Sequence, residues 1–323
     1  MTITQLEVHL TPAELRATLA QDAWRGLTSV PKSLPPKYFY DARGSALFEQ
    51  ITHLVEYYPT RTELAILRQN SAAIAARAGN PDTLIELGSG SSAKTRLLLD
   101  KLQATGQLRR YVPVDVSPTA LDQAVQLLAI DYPRLELQAV VADFEADLHR
   151  LPDGDRRLVA FLGSTIGNLD PTQRARFFAA LRDLLKPRDS FLLGIDLVKS
   201  KRRLIAAYDD AAGVTAEFNR NVLHVLNHSL RADFRPELFD HVAVWNAQAE
   251  WIEMRLRARI SMTVRIQDLN LRVKFAAGEE IRTEISAKFR REGIEAELAA
   301  CGFHLVDWWT DVDGDFALGL ALP

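Results

Sequence analysis

Residues Thr83–Lys94 read TLIELGSGSSAK. Thr83-Leu84-Ile85 is a short apolar run of the kind that forms a buried parallel strand, and Glu86 ends it. Gly88-Ser89-Gly90 predicts a tight turn, and Ser91 or Ser92 is placed to cap a helix beginning near Ala93. A strand, a glycine turn and a helix N-terminus in that order make a nucleotide-type site. Glycine suits such a turn because a Cβ would collide with a ligand held close to the backbone.

Two ligands compete for this turn. A dinucleotide wants G-x-G-x-x-G/A, which Gly88, Gly90 and Ala93 fit loosely. S-adenosylmethionine instead suits an acid two places before the first glycine, where Glu86 stands. Its methionine end carries an ammonium and a sulfonium, whereas a pyrophosphate would be repelled by Glu86. Two more acids follow at successive strand ends. Asp115 closes the run Tyr111–Val114, where a carboxylate can hold both ribose hydroxyls. Asp143-Phe144 follows Leu137–Val141, where the acid can accept from an adenine amino group and the ring can pack on the base.

Composition sets the frame. The chain has 323 residues, 47% hydrophobic and 25% charged, which is ordinary for a soluble globular protein of one large or two smaller domains. A net charge of −3 gives no reason to expect nucleic acid or an anionic membrane as partner. No apolar run is long enough to span a bilayer, and the first fifteen residues do not read as a secretory signal. Cys301 is the single cysteine, so no intramolecular disulfide is expected; it reads as a small core residue. The expectation is a cytoplasmic monomer.

Along the chain, Thr11-Pro12-Ala13-Glu14 predicts a capping box and a helix to about Gly26. Pro31–Pro36 reads as an extended loop, followed by a short helix near Ser45–Thr52. Glu56-Tyr57-Tyr58-Pro59 is an aromatic loop that either packs between elements or walls a ligand. Thr60-Arg61-Thr62-Glu63 reads as a second capping box opening a helix to about Ala78. Strands over 83–87, 111–115, 136–142, 158–162 and 190–197 then alternate with helices over 93–104, 118–131 and 170–185. That alternation predicts a doubly wound parallel sheet, with ligands at the carboxyl ends of its strands. The turns at Gly88, Asp115, Asp143 and Gly163 all fall on that edge. The pattern then changes. Helices over 202–213 and 215–230 precede a half-exposed antiparallel strand over 249–260, with which 269–275 is a candidate to pair. This segment reads as an insert, because a helix over 291–300 and an antiparallel hairpin over 303–322 resume the sheet.

Other constellations are weaker. His224 and His228 are four apart on a predicted helix, but no third ligand accompanies them and no metal is expected. Asp311, Asp313 and Asp315 read as a hairpin turn, since the glycine and the last ligand position do not suit a calcium loop. No serine, cysteine and histidine arrangement marks a covalent nucleophile.

Longer stretches carry a resemblance. They are PKSLPPKYFYDA at Pro31–Ala42, EYYPTRTE at Glu56–Glu63, FLGSTIGNL at Phe161–Leu169, YDDAAGVTA at Tyr208–Ala216, FNRNVL at Phe218–Leu223 and FAAGEE at Phe275–Glu280. Through them the chain, from about Gly26 to Leu322, resembles the histidine-specific Nα-methyltransferases that begin ergothioneine biosynthesis. The resemblance implies a Rossmann-like class I methyltransferase sheet of seven strands with a closing antiparallel hairpin, and an inserted α+β substrate-binding domain. It divides the chain into 60–196 plus 287–323, which binds S-adenosylmethionine, and 1–59 plus 197–286, which binds the amino acid. Cofactor contacts carry over to Tyr40, Gly88, Lys94, Asp115, Asp143, Phe144 and Gly163, beside Glu86 from the turn itself. Substrate contacts carry over to Tyr57, Asn168, Tyr208, Met254, Glu284 and Ser286, with Asn168 and Tyr208 as the catalytic pair.

The residue types suit the chemistry that the resemblance implies. Methyl transfer needs a neutral amine lone pair in line with a sulfonium methyl, so positioning supplies most of the catalysis. Asn168 offers both a donor and an acceptor. Tyr57 and Tyr208 offer hydroxyls, and their rings can face a growing ammonium. Glu284 and Ser286 are two apart on an extended segment and point the same way, so together they can grip an imidazole. The expected reaction is trimethylation of the α-amine of L-histidine to hercynine. Alternatives are a relative acting on tryptophan or a prenylated indole, a non-catalytic cofactor-binding regulator and, more distantly, an NAD dehydrogenase. Glu284 argues against an indole, and the closing hairpin argues against the dehydrogenase.

Overall fold

The apolar run at 83–87 is a strand buried along its whole length, and one sheet is laid down on either side of it. The structure is a computed structural model and describes residues 4–323. In chain order its strands are β1 (Thr4–Val8), β2 (Lys32–Ser33), β3 (Thr83–Leu87), β4 (Arg110–Asp115), β5 (Glu136–Val141), β6 (Arg157–Phe161), β7 (Ser190–Asp196), β8 (Phe239–Asn246), β9 (Trp251–Ala258), β10 (Met262–Ile266), β11 (Leu271–Phe275), β12 (Glu280–Ala287), β13 (His304–Thr310) and β14 (Phe316–Leu322). The helices are α1 (Pro12–Thr28), α2 (Ala42–Thr52), α3 (Tyr58–Arg77), α4 (Arg96–Ala104), α5 (Pro118–Asp131), α6 (Pro171–Leu184), α7 (Lys201–Tyr208), α8 (Val214–Leu230) and α9 (Arg291–Ala300).

The chain forms two compact units. One comprises residues 4–10, 59–198 and 288–323. Its sheet has the order β1-β5-β4-β3-β6-β7-β14-β13, parallel except for β14 and β13. The seven expected strands and the closing hairpin are all present. An eighth, β1, adds to the outer edge of β5 in parallel register, pairing Thr4 with Leu137 and Val8 with Val141. The division that the resemblance implies puts residues 1–59 in the other unit, whereas residues 4–10 belong to this one. The short TQLEV strand carries too few apolar residues to announce itself, and its partner lies more than a hundred residues away.

Strand order reverses beside β3. The chain steps outward from β3 through β4 to β5, then returns to the opposite side of β3 for β6 and β7. That is the topological switch point of a doubly wound sheet, where the connections leave a crevice at the carboxyl ends of the strands. The loops that open there are 88–95 after β3 and 162–168 after β6.

The second unit comprises residues 11–58 and 199–287. Its four-stranded sheet runs β2-β12-β9-β8, and β10 and β11 form a separate hairpin. β11 therefore pairs with β10, from Met262↔Phe275 to Ile266↔Leu271, and not with β9 as the alternation suggested. β9 is taken on both sides, by β8 and β12. Its core gathers Phe39, Phe218, Val222, Leu226, Phe239, Met254 and Phe275.

Two of the predicted helix starts change. The Thr11 box forms as read, with Glu14 reciprocating, and Asp170 with Gln173 makes a matching one on α6. The Thr60 box does not form, because α3 already begins at Tyr58 and Glu63 lies in its second turn. Nor does Ser91 or Ser92 cap the helix after the glycine turn. α4 starts later, at Arg96, and the hydroxyl of its N-cap Thr95 is drawn instead to the buried Glu86.

One buried ion pair of the sheet is structural. Arg157 opens β6 and, like Asp189, is fully buried. Asp189 accepts from the Arg157 backbone N–H at 2.7 Å and from its guanidinium at 2.7 and 2.9 Å, while the guanidinium also donates to the Leu184 carbonyl. Removing one partner strands the other in low dielectric, so Asp189→Ala is expected to cost about 3–5 kcal/mol. Urea unfolding measures this; a cost below about 1 kcal/mol would show that the pair does not hold the strand.

Candidate active site

Along the carboxyl edge of the sheet the acids divide their work. Gly88 and Gly90 turn the chain at φ +66° and +51°, which ordinary residues avoid, and a Cβ on either would meet no atom within 4 Å. The turn is tied back to the next strand, because Gly88 and Ser89 donate their N–H groups to the Val114 carbonyl at 2.8 and 3.1 Å. Asp115 completes the tie by accepting from the Gly90 N–H at 2.9 Å and the Ser117 N–H at 3.0 Å. Burial pushes its carboxyl above the usual range, and these backbone donors pull it part of the way back.

Glu86 sits behind the turn. It is buried and accepts from the hydroxyls of Thr95 and Tyr111; Tyr111 also lies 2.8 Å from Ser92 Oγ. Burial raises its pKa to about 7 against the pull of both hydroxyls. Tyr111, desolvated beside that carboxyl, is held well above the ordinary phenol value and stays neutral as a donor.

Further along the edge, Asp143 accepts from the Glu145 N–H at 3.0 Å. The half-buried Phe144 ring packs on Phe161 and Phe177 at 5.0 and 6.2 Å between centroids. After β6, Gly163 and Ser164 both take the left-handed conformation, and Ser164 Oγ accepts from the Asp196 N–H at 2.9 Å. A short 3₁₀ turn, Thr165–Asn168, then leaves Asn168 half-buried at its end. Lys94 stands on the loop after β3 and pairs with the fully buried Glu63. The structure thus brings Glu86, Gly88, Lys94, Asp115, Asp143, Phe144, Gly163 and Asn168 to one edge of one unit.

The atoms of this edge suit the expected S-adenosylmethionine. The open space in front of Gly88 and Gly90 leaves the turn approachable. Ser89 Oγ is buried without a hydrogen-bond partner among the described residues, an uncompensated polar group that a ligand can satisfy. Asp115 offers a carboxylate, Phe144 an apolar ring and Lys94 a cation. The donor set fits the molecule.

The other sequence-derived residues lie in the second unit. Tyr40 and Tyr57 both lean on Phe48, at 5.6 and 6.1 Å between ring centroids. Tyr40 is held from both sides, since Asn221 donates to the Phe39 carbonyl at 3.1 Å and to Asp41 at 2.7 Å. Tyr58, which follows Tyr57 and opens α3, is buried, with the Lys199 ammonium 2.8 Å from its hydroxyl. On β12 a bulge falls between Arg282 and Glu284. It turns Thr283 inward, 2.6 Å from Asn219 Oδ1 and 3.0 Å from the Met254 carbonyl. Beyond it, Glu284 stands opposite Met254 and Ser286 opposite Ile252. Ser286 Oγ lies 2.7 Å from the Tyr208 hydroxyl, so these two predicted residues meet directly.

Residues not read from the sequence hold this arrangement. His241 Nε2 lies 2.7 Å from the Tyr208 carbonyl, and its Nδ1 lies 2.8 Å from Asn219 Nδ2. The amide can only donate there, so Nδ1 accepts and Nε2 carries the proton. Burial lowers the His241 pKa, which keeps the ring in this neutral form. In the sheet unit the corresponding residues are Glu63, Thr95 and Tyr111. Glu63 falls in the EYYPTRTE stretch but reads there only as a capping residue, and Thr95 and Tyr111 carry no motif role; only their folded neighbours give them one.

Comparison with known proteins identifies the family. Residues 19–322 match a family described as histidine-specific, SAM-dependent methyltransferase. The chain is 58% identical over 304 residues to a histidine N-alpha-methyltransferase of Mycolicibacterium smegmatis, covering 94% of both. It is 54% identical to the protein of that name from Mycobacterium tuberculosis, covering 97% of both. It is 28% identical to ergothioneine biosynthesis protein 1 of Neurospora crassa, over 87% of this chain but 32% of that protein.

The pKa of Glu86 yields a prediction with a definite sign. A carboxyl at about 7 in the fold and near 4.5 unfolded binds its proton more tightly when folded. Its contribution to stability is therefore complete below pH 4.5 and lost as pH rises through 7. The difference amounts to about 3 kcal/mol. Glu86→Gln cannot titrate, so between pH 5 and 8 its stability should gain about 2–3 kcal/mol relative to wild type. Urea unfolding of both proteins across that range tests this, and a constant difference would show that Glu86 does not titrate there.

Proposed function

Because the chain belongs to the S-adenosylmethionine-dependent, histidine-specific methyltransferases, we propose that the residues at the sheet edge hold the cofactor while those of β12, α7 and the aromatic loop hold L-histidine. The enzyme methylates the α-amine of histidine, the chemistry of ergothioneine biosynthesis. When bound, the cofactor supplies a methyl group on a sulfonium. Asp115 then accepts from ribose hydroxyls, Asp143 from the adenine amino group, and Phe144 covers the base. Lys94 takes the carboxylate of the methionine end.

On the substrate side, Glu284 accepts from an imidazole N–H and Ser286 contacts the other ring nitrogen. The Tyr208–Ser286 hydrogen bond carries this reading, because it joins a residue assigned to the amine with one assigned to the ring. Asn168, on the sheet edge, offers both a donor and an acceptor suited to an amine and a carboxylate. The rings of Tyr57 and Tyr208 face an ammonium that gains positive character with each methyl, a contact of about 0.5–2 kcal/mol that survives when the nitrogen has no proton left to donate. That tolerance supports three transfers to the same nitrogen, ending at hercynine. No helix among the described residues is long and apolar enough to cross a membrane; we propose a cytoplasmic monomer.

Mass spectrometry of histidine incubated with the protein and excess cofactor should find a product carrying three added methyl groups; a reaction that stops at one would overturn the trimethylation reading. Specificity is tested separately. A ring-binding carboxylate left without its partner costs about 1.5–3 kcal/mol, so Glu284→Ala should lower the histidine-to-tryptophan ratio of kcat/KM roughly 10- to 100-fold. Adding Met254→Val, which clears space on the neighbouring strand, should lower it further. An unchanged ratio in both variants would mean that Glu284 does not read the imidazole.

A further inference from the structure

Glu63 is the least expected charge in the sheet unit. It comes from α3, before the first central strand, and is fully buried. Its two oxygens serve the two loops that flank the switch point. Oε1 accepts from the Gly163 N–H at 2.7 Å, and Oε2 pairs with the Lys94 ammonium. β7 makes room for it. A Cβ on Gly194 would stand 2.3 Å from Glu63 Oε1, 3.2 Å from Leu162 Cα and 3.3 Å from Gly163 N, so no side chain fits where the carboxylate lies.

The pairing is asymmetric. The Glu63 side chain is fully buried, whereas that of Lys94 remains 26% exposed. An ammonium has three donors. Glu63 takes one and leaves the others for a ligand. Lys94 alone would also place a full positive charge on this edge. The cofactor is itself a net cation, since its sulfonium and ammonium outweigh its carboxylate, and its thioether product has lost the sulfonium charge. An unbalanced lysine therefore selects against the donor and in favour of the product.

We infer that Glu63 is a positioning residue of the methyl-donor site: it fixes the Lys94 ammonium and the Gly163 amide, and it cancels the Lys94 charge so that a cationic donor is accepted. This rests on reading Lys94 and Gly163 as cofactor contacts. Its signature is electrostatic. Glu63→Gln removes the negative charge, so it should weaken S-adenosylmethionine more than S-adenosylhomocysteine, shifting their affinity ratio roughly tenfold toward the product. Lys94→Met should shift the ratio the opposite way while weakening both ligands, because the carboxylate contact is lost. The double variant has neither charge, so its ratio should return to that of wild type although both affinities stay low. Loosened packing would weaken both ligands alike and cannot produce shifts of opposite sign.

The experiment is calorimetric titration of each ligand, without histidine, into the full chain as wild type, Glu63→Gln, Lys94→Met and the double variant. Circular dichroism confirms the fold of each. Should Glu63→Gln fail to fold, Lys94→Met and the double variant decide the question through their ratios. If Lys94→Met leaves both affinities unchanged, the cofactor reading of Lys94 is wrong. If Lys94→Met weakens both ligands but Glu63→Gln, or the double variant measured against Lys94→Met, leaves the ratio unmoved, the inference about Glu63 is overturned.

Discussion

A carboxylate removed from water must be paired, and where the pairing falls decides what the surrounding chain can do. In this protein one fully buried carboxylate, Glu63, is paired across the two loops that open at the switch point of the sheet. The parallel pairing of β3 with β6 brings those loops side by side. β7 answers with a glycine where any side chain would displace the carboxylate. Helix, two loops and a strand are thus constrained by one charged group.

The other acids of this edge show that like residues take unlike roles according to burial. Asp115 is spent largely on backbone N–H groups and gives the glycine turn its shape. Glu86 is drawn behind the turn, where desolvation raises its pKa to about 7 against the pull of two hydroxyls. Its carboxyl orders Thr95 and Tyr111, and through Tyr111 it reaches Ser92 on the far side of the turn. The second unit follows the same logic with neutral groups. Asn219 fixes the tautomer of His241 and receives Thr283 from the bulge, so one amide orders both α7 and β12.

Much of this was legible in the chain as written. Apolar runs of strand length alternating with helical stretches specify a parallel sheet, because only buried strands read as continuous hydrophobic segments. The glycine turn and the acids closing successive runs mark the ligand edge, because backbone conformation and strand ends are local properties. The insert between β7 and α9 announced itself by its change of period, and the stretches around Tyr40, Tyr57, Asn168, Tyr208 and Phe275 carried the family. What stayed hidden depends on distance. The TQLEV segment becomes β1 only because β5 offers a free edge. β11 alternates as β9 does, yet pairs with β10, because β9 is already flanked on both sides. Ser91 and Ser92 read as helix caps, but the helix starts later, at Arg96, and the hydroxyl of Thr95 turns to Glu86. Glu63 read as the last residue of a capping box, since the capping rule counts three residues along the chain and cannot see Lys94 or Gly163 waiting in space. Local geometry and periodicity are written in the order of residues; which buried charge meets which loop is decided only when distant segments are packed together and water is excluded from between them.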